Sequence, residues 1–152
     1  MSGVGIQRVG HVVLKVRSLE RSVPFYRDLL GLREVARLPG RAGTMVFFSA
    51  TGDNHHDLAL LEVGADAPRP DPRAVGLYHV AFKIGDDLDA LRAARAVFEA
   101  RGIRYALADH RVSQSLYVND PDGNGIELYV DADPRTWRED PSAVATVRPL
   151  EL

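Results

Sequence analysis

The sequence predicts an α+β fold: two tandem βαβββ modules that form a curved mixed sheet around a cavity. Three observations predict it. First, Gly10-His11-Val12-Val13-Leu14-Lys15-Val16 recurs as Tyr78-His79-Val80-Ala81-Phe82-Lys83-Ile84, 68 positions later. Second, each copy is followed by a helical pattern and then by three strand patterns, as an internal structural repeat requires. Third, the same offset lays Leu58-Ala59-Leu60 over Ile126-Glu127-Leu128. The expected division is one domain over residues 1–133, with module one at 6–64, module two at 77–133 and a linker at 65–76. An irregular tail is expected at 134–152.

In chain order, residues 1–8 read as a ragged lead-in. Val9 to Val16 alternates as a strand, with Val12, Leu14 and Val16 on one face and His11, Val13 and Lys15 on the other. Ser18 is the expected N-cap of a helix running to Leu30, with Val23, Tyr26, Leu29 and Leu30 inward, Pro24 near the start and Gly31 as the stop. Leu32 to Leu38 reads as a strand that Pro39-Gly40 breaks, and Thr44 to Ser49 as the next. Gly52-Asp53-Asn54 marks a turn before His55-His56-Asp57 and the strand Leu58 to Val63. Residues 65–76 hold three of the nine prolines and little that packs.

The second module opens with Tyr78 to Ile84. Asp86 or Asp87 caps a helix from Leu88 to Arg101, and Gly102 ends it. Strands follow at Ile103 to Ala106 and Ser115 to Val118. Asp120-Pro121-Asp122-Gly123-Asn124-Gly125 is a dense run of turn formers, and Ile126 to Val130 is the last strand. Alternation puts Ile126, Leu128 and Val130 on one face, and Glu127 and Tyr129 on the other.

At 152 residues with a net charge of −2 the chain can bury a sizeable core. It shows no basic stripe, which argues against nucleic acid. It contains no cysteine, which excludes disulfides, thiolate ligands and a thiol nucleophile. No apolar run reaches the length of a membrane span, and MSGVGIQRVG has no secretory pattern, so a cytoplasmic location is expected.

Each of the five histidines taken singly has an ordinary reading, half-exposed or hydrogen-bonded. Two features change the odds. His11 and His79 hold the same place in both repeats, and Glu127 sits on the corresponding face of a later strand. Two imidazoles and one carboxylate make the facial triad that suits non-haem Fe(II), with positions open for substrate and O₂. The repeat partner of Glu127 is Ala59, which cannot ligate. A closed four-ligand site drawn from the four equivalent strands is therefore unavailable.

GHVVLKV with the following FYRDLLGL, the HVAF of the second half, and DPDGNGIELY together resemble the vicinal oxygen chelate superfamily. That superfamily includes glyoxalase I, extradiol ring-cleaving dioxygenases, fosfomycin-resistance enzymes and bleomycin-resistance proteins. The resemblance covers roughly residues 6–132. It implies a metal held by His11, His79 and Glu127. Glyoxalase I carries a fourth ligand, a Glu, where this chain has Ala59. Fosfomycin-resistance enzymes share the three-ligand set. HHDLAL resembles the extradiol stretch that carries the acid–base histidine, which matches His56. Tyr117 lies ten residues before Glu127, as the extradiol tyrosine does, and His110 lies near a second extradiol histidine. Two departures are visible. His110 precedes Tyr117 by seven residues, about two fewer than the family spacing, which implies a displaced His110. Strict alternation puts His55 and Asp57, not His56, on the Ala59 face, so His56 faces the cavity only if the strand bulges or starts after it.

The resemblance implies an Fe(II)-dependent extradiol dioxygenase acting on a catechol-type substrate with O₂, as a homodimer, with Phe47 and Tyr129 expected in the pocket. Two other readings stay open: a non-redox enzyme of the same scaffold (a lyase, epimerase or antibiotic-modifying transferase using Mn(II), Ni(II) or Zn(II)), and a metal-free ligand-binding protein.

Overall fold

Alternating apolar residues after His11 dictate a strand with one buried face, and the computed structural model shows it as β1 (Val12–Val16), with Leu14 and Val16 buried. The structure describes residues 3–41, 43–69, 71 and 73–152; Met1 and Ser2 of the expected domain, Ala42 of its first module, and Pro70 and Pro72 of the expected linker lie outside the described residues. The chain divides into two compact units, Met1–Pro70 and Asp71–Leu152. The expected strand start at Val9 is too early: His11 precedes the ladder rather than lying within it.

In the first unit α1 (Leu19–Pro24) runs into a wider π-helical turn, Phe25–Leu29. Pro24 has no N–H to continue the α-ladder. Beyond it the chain switches to an i→i+5 bond, Leu30 N–H to the Phe25 carbonyl at 3.0 Å. Ser18 makes no side-chain cap. The Leu19 N–H instead donates to Glu62 Oε1 at 2.9 Å, so a carboxylate from the sheet caps this helix. Leu19, Val23 and Tyr26 are buried, whereas the expected Leu29 and Leu30 are only half-buried because the wider turn rotates them off the inner face.

β2 (Arg33–Gly40) and β3 (Gly43–Ser49) pair antiparallel from Arg33↔Ser49 to Gly40↔Gly43. Pro39-Gly40 therefore does not break the strand. The sheet order is β1-β4-β3-β2, with β4 at Leu58–Glu62, so Pro39 lies on an edge, where its missing N–H costs no ladder bond. Val46, Phe48, Leu58 and Leu60 complete the core, each such side chain contributing about 1.5–3 kcal/mol on burial.

The second unit repeats the topology as β5-β8-β7-β6. Its elements are β5 (His79–Gly85), α2 (Leu88–Ala100), β6 (Ala106–Asp109), β7 (Ser113–Asn119) and β8 (Gly125–Asp131). Asp87 is the cap of α2, accepting from the N–H groups of Asp89 and Ala90, and Leu91 and Phe98 are its buried residues. Gly85 is required where α2 meets the sheet, because a Cβ there would lie 2.5 Å from Ala90 Cβ. β6 begins three residues later than expected, which brings His110 directly after its end.

The tail is more regular than expected. α3 (Arg135–Glu139) and a 3-10 turn, Pro141–Ala145, precede a bridge in which Asp109 and Arg148 exchange two backbone hydrogen bonds of 2.9 Å. Trp137 is half exposed, with the Arg138 guanidinium 5.3 Å from its ring centre.

Candidate functional site

The repeat keeps its register between the first and last strands of each module as far as Lys83, where an irregularity shifts the pairing to Gly85↔Val130. Val13 pairs with Ala59 in the parallel ladder of β1 and β4, and Ala81 pairs with Glu127 in that of β5 and β8. Across the antiparallel neighbour the offset grows by two residues: Phe47 faces Ala59, whereas Tyr117 faces Glu127. One module thus presents Ala59 and Phe47 where the other presents a carboxylate and a phenol.

Glu127 is buried, at 8% exposure, so its carboxylate must be paired or must bind a ligand. Its Oε2 lies 2.9 Å from His79 Nε2, and its Oε1 accepts the Ser115 hydroxyl at 2.5 Å. Two donors on one metal ion, with bonds of about 2.1 Å at right angles, stand about 3 Å apart, so this pair fits a divalent first-row ion without rearrangement. His79 Nδ1 is buried and has no partner among the described residues, which leaves Nε2 as the nitrogen that the site uses. Gly125, paired with His79 across the ladder, lets the imidazole in: a Cβ there would lie 2.7 Å from the Tyr78 carbonyl oxygen and 3.1 Å from His79 Cβ.

Beside this pair runs a second polar chain. His110 Nδ1 meets the Thr146 carbonyl at 2.8 Å, and His110 Nε2 meets the Tyr117 hydroxyl at 2.7 Å. A carbonyl only accepts, so Nδ1 carries a proton. In the neutral ring Nε2 then accepts from the phenol. The seven-residue spacing does not displace His110 from Tyr117. The β6–β7 turn absorbs it, with Arg111 in the left-handed region at φ 65° and its N–H bonded to Asp109 Oδ1 at 2.7 Å. Burial and the charge of Glu127 push the Tyr117 phenol up to about 12, so it stays protonated. His79, Tyr117, His110 and, from the tail, Val147 line a cavity of about 690 Å³. Tyr129, expected in the pocket, is not among its lining residues.

In the first unit β4 starts at Leu58, after the histidines, so alternation does not govern His56. Its ring centre lies 4.2 Å from that of His11 and 5.1 Å from that of Phe47. His55 joins them, its Nδ1 being 2.6 Å from His56 Nδ1, and the three imidazoles offer nitrogens within 4.8 Å of one another. Desolvation, then His11 and His55, hold the His56 pKa below its ordinary value, against a smaller opposing effect of Asp57. Asp57 and Asn54 fasten this loop. Asp57 Oδ2 accepts from the Ala50 N–H at 2.8 Å and the Ser49 hydroxyl at 3.2 Å. The Asn54 amide donates to the carbonyls of Gly10 and His56 and to Asp57 Oδ1, at 3.0, 2.7 and 3.1 Å.

The structure therefore groups His79, Glu127, Tyr117 and His110 in the second unit, and His11 with His56 in the first. Ser115 and Asn54 escaped the sequence reading. Ser115 was within reach, because alternation puts it on the Tyr117 face of β7. Asn54 was visible only as a turn former.

Residues 8–128 match the model of the Glyoxalase/Bleomycin resistance protein/Dioxygenase superfamily. A catechol-2,3-dioxygenase of Bacillus subtilis (strain 168) is 37% identical over 133 residues, 87% of this chain and 44% of that protein. The chain thus spans less than half the length of that relative. The metallothiol transferase FosB of Lysinibacillus sphaericus (strain C3-41) is 29% identical over 82% of both chains. A glyoxylase/bleomycin resistance protein/dioxygenase domain from Frankia sp. EAN1pec superposes with a TM-score of 0.72 at 21% identity, covering 84% of this chain and all of that one, which shows the shared fold. By the extent of the family match, this chain belongs to the glyoxalase, bleomycin resistance protein and dioxygenase superfamily.

Proposed function

We propose that the chain is an Fe(II)-dependent extradiol ring-cleaving dioxygenase acting on a catechol-type substrate with O₂. The observation that carries this reading is the Glu127–His79 pair, at 2.9 Å, together with the Tyr117–His110 pair, His79, Tyr117 and His110 all lining one cavity. The proposed ligands are His79, Glu127 and His11, the last assigned by its equivalence to His79 in the repeat. Bound Fe(II) supplies Lewis acidity toward the ring hydroxyls and electrons toward O₂.

The chain's own residues then divide the proton work. Ser115 holds Glu127 so that Oε2 stays free for the metal. His56 takes a proton from a substrate hydroxyl and returns it as ring cleavage proceeds. Tyr117, with its own proton directed at His110, presents an oxygen lone pair to the substrate. A proton arriving on His110 Nε2 reverses that bond and frees the phenol's proton for donation into the cavity. In the same reading the protein is a cytoplasmic homodimer, and light scattering on the purified protein checks the oligomer.

A second reading is a non-redox metalloenzyme of this scaffold, supported by the likeness to a transferase that the chain nearly matches in length. Oxygen uptake by protein loaded anaerobically with Fe(II) separates the two. Substrate-dependent uptake on a catechol panel, with a yellow ring-opened product and loss in Glu127→Ala, supports the dioxygenase. Metal binding without uptake supports the non-redox enzyme, and absence of metal binding overturns both.

A further inference from the structure

Resting on that reading, we infer that the substrate is not bare catechol but a catechol extended by a flat apolar group that ends in a carboxylate, with Arg104 as the residue that receives it. The cavity of about 690 Å³ falls in the range of about 300–1,000 Å³ that houses drug-sized ligands, well beyond a single ring. Besides His79, His110, Tyr117, Asn119 and Arg104, its lining is aromatic and apolar, with Tyr78, Tyr105, Ala106 and Val147 among it. The Tyr105 hydroxyl is already engaged, donating to Glu99 Oε1 at 2.6 Å, so this residue offers the cavity its ring rather than its polar tip. That surface fits a planar substituent.

Arg104 is the one Arg, Lys, Asp or Glu side chain among the described residues that line the cavity. It is exposed and makes no hydrogen bond or ion pair with another described residue. Two other arginines of this unit are already engaged: Arg111 pairs with Asp140 at 3.2 Å, and Arg95 with Glu99 at 3.6 Å. An unengaged guanidinium on the wall of a cavity that presents no other Arg, Lys, Asp or Glu side chain among the described residues is suited to a carboxylate, which it can hold by two parallel hydrogen bonds.

Register gives the distance. Ala106 pairs with Tyr117, and Tyr117 with Glu127, so Arg104 lies two strands and two residues from the carboxylate. Strand spacing and rise make that roughly 12 Å between the two Cα positions. Given the reach of an arginine side chain, the anion sits about one ring beyond the dihydroxylated ring.

The test compares 2,3-dihydroxybiphenyl with its derivative carrying a carboxylate on the distal ring. With the iron-loaded protein, the ratio of the neutral to the carboxylated KM is expected to be about ten. It falls to about one in Arg104→Gln, is partly restored in Arg104→Lys, and drops below one in Arg104→Glu. In parallel, fluorescence quenching measures binding of the carboxylated biaryl to the iron-free protein, and R104Q should weaken it about tenfold. Thermal melts confirm that each variant folds. If both biaryls are cleaved equally well by wild type and R104Q, the inference is overturned while the dioxygenase stands. If no catechol is cleaved but the carboxylated biaryl binds in an Arg104-dependent way, the anion subsite stands and the dioxygenase falls.

Discussion

At the scale of single residues, the candidate site depends on neighbours outside the proposed ligand set. Ser115 is fully buried and donates to Glu127 at 2.5 Å, and a hydrogen bond to a charged group is worth about 1.5–3 kcal/mol. Ser115→Ala is expected to keep the fold and to weaken Mn(II) binding by about 10–100-fold, the usual cost of losing such a support; calorimetry on the apo protein checks it. Gly125 acts by its lack of a side chain. Because a methyl there would press on the Tyr78 carbonyl and His79 Cβ, Gly125→Ala should cost about 1–3 kcal/mol in urea unfolding and loosen the His79–Glu127 alignment. An unchanged midpoint and unchanged metal affinity in that variant would show that the close approach has no consequence.

At the scale of elements, the segment from Ala50 to His56 is a loop fastened by the side chains of Asn54 and Asp57, while the Asp57 backbone ties its end to Phe48 and Val12. Asn54 ties Gly10 to His56, and so the residue before His11 to the proposed base. Asn54→Ala should lower kcat at least tenfold with little change in metal content, as expected when a catalytic group is misplaced without being removed. Asp57 adds a pH signature. The Ala50 N–H, then Asn54 and Ser49, hold its carboxyl below the usual range against the opposing effect of burial. A depressed folded value means that this stabilisation is present above the unfolded value of about 3.9 and is lost as pH falls through the folded one. The stability gap between wild type and Asp57→Ala should therefore be full at pH 6 and shrink below about pH 4, as urea titrations at several pH values would record.

At the scale of the whole molecule, both units carry the same strand order, and their parallel pairs share a register up to the irregularity after Lys83. Metal binding is expected to be a property of the folded chain. Mn(II) at about a hundred times its Kd should add about 2.7 kcal/mol, or roughly 5–10 °C in Tm for a chain of this size. Glu127→Ala should abolish the shift. A wild-type melt indifferent to Mn(II), Fe(II) and Zn(II) alike would leave the buried carboxylate without its proposed ligand. No helix among the described residues is long and apolar enough to cross a membrane.

The sequence by itself determined the α+β class, the repeat with its offset, the core faces of the strands and the identity of the polar residues on the β5 and β8 faces. These follow from period-two alternation and from a duplicated pattern, both local in the chain. Tertiary structure decided the rest. Pro39 continues a strand because it falls on an edge, and Glu62 caps α1 because β4 brings it there. His56 stands against His11 because β4 begins after it, and His110 meets Tyr117 because a left-handed turn at Arg111 takes up the short spacing. The tail, unreadable as a pattern, supplies the Thr146 carbonyl and Val147. Each of these depends on which groups long-range pairing leaves unsatisfied, and no local periodicity encodes that.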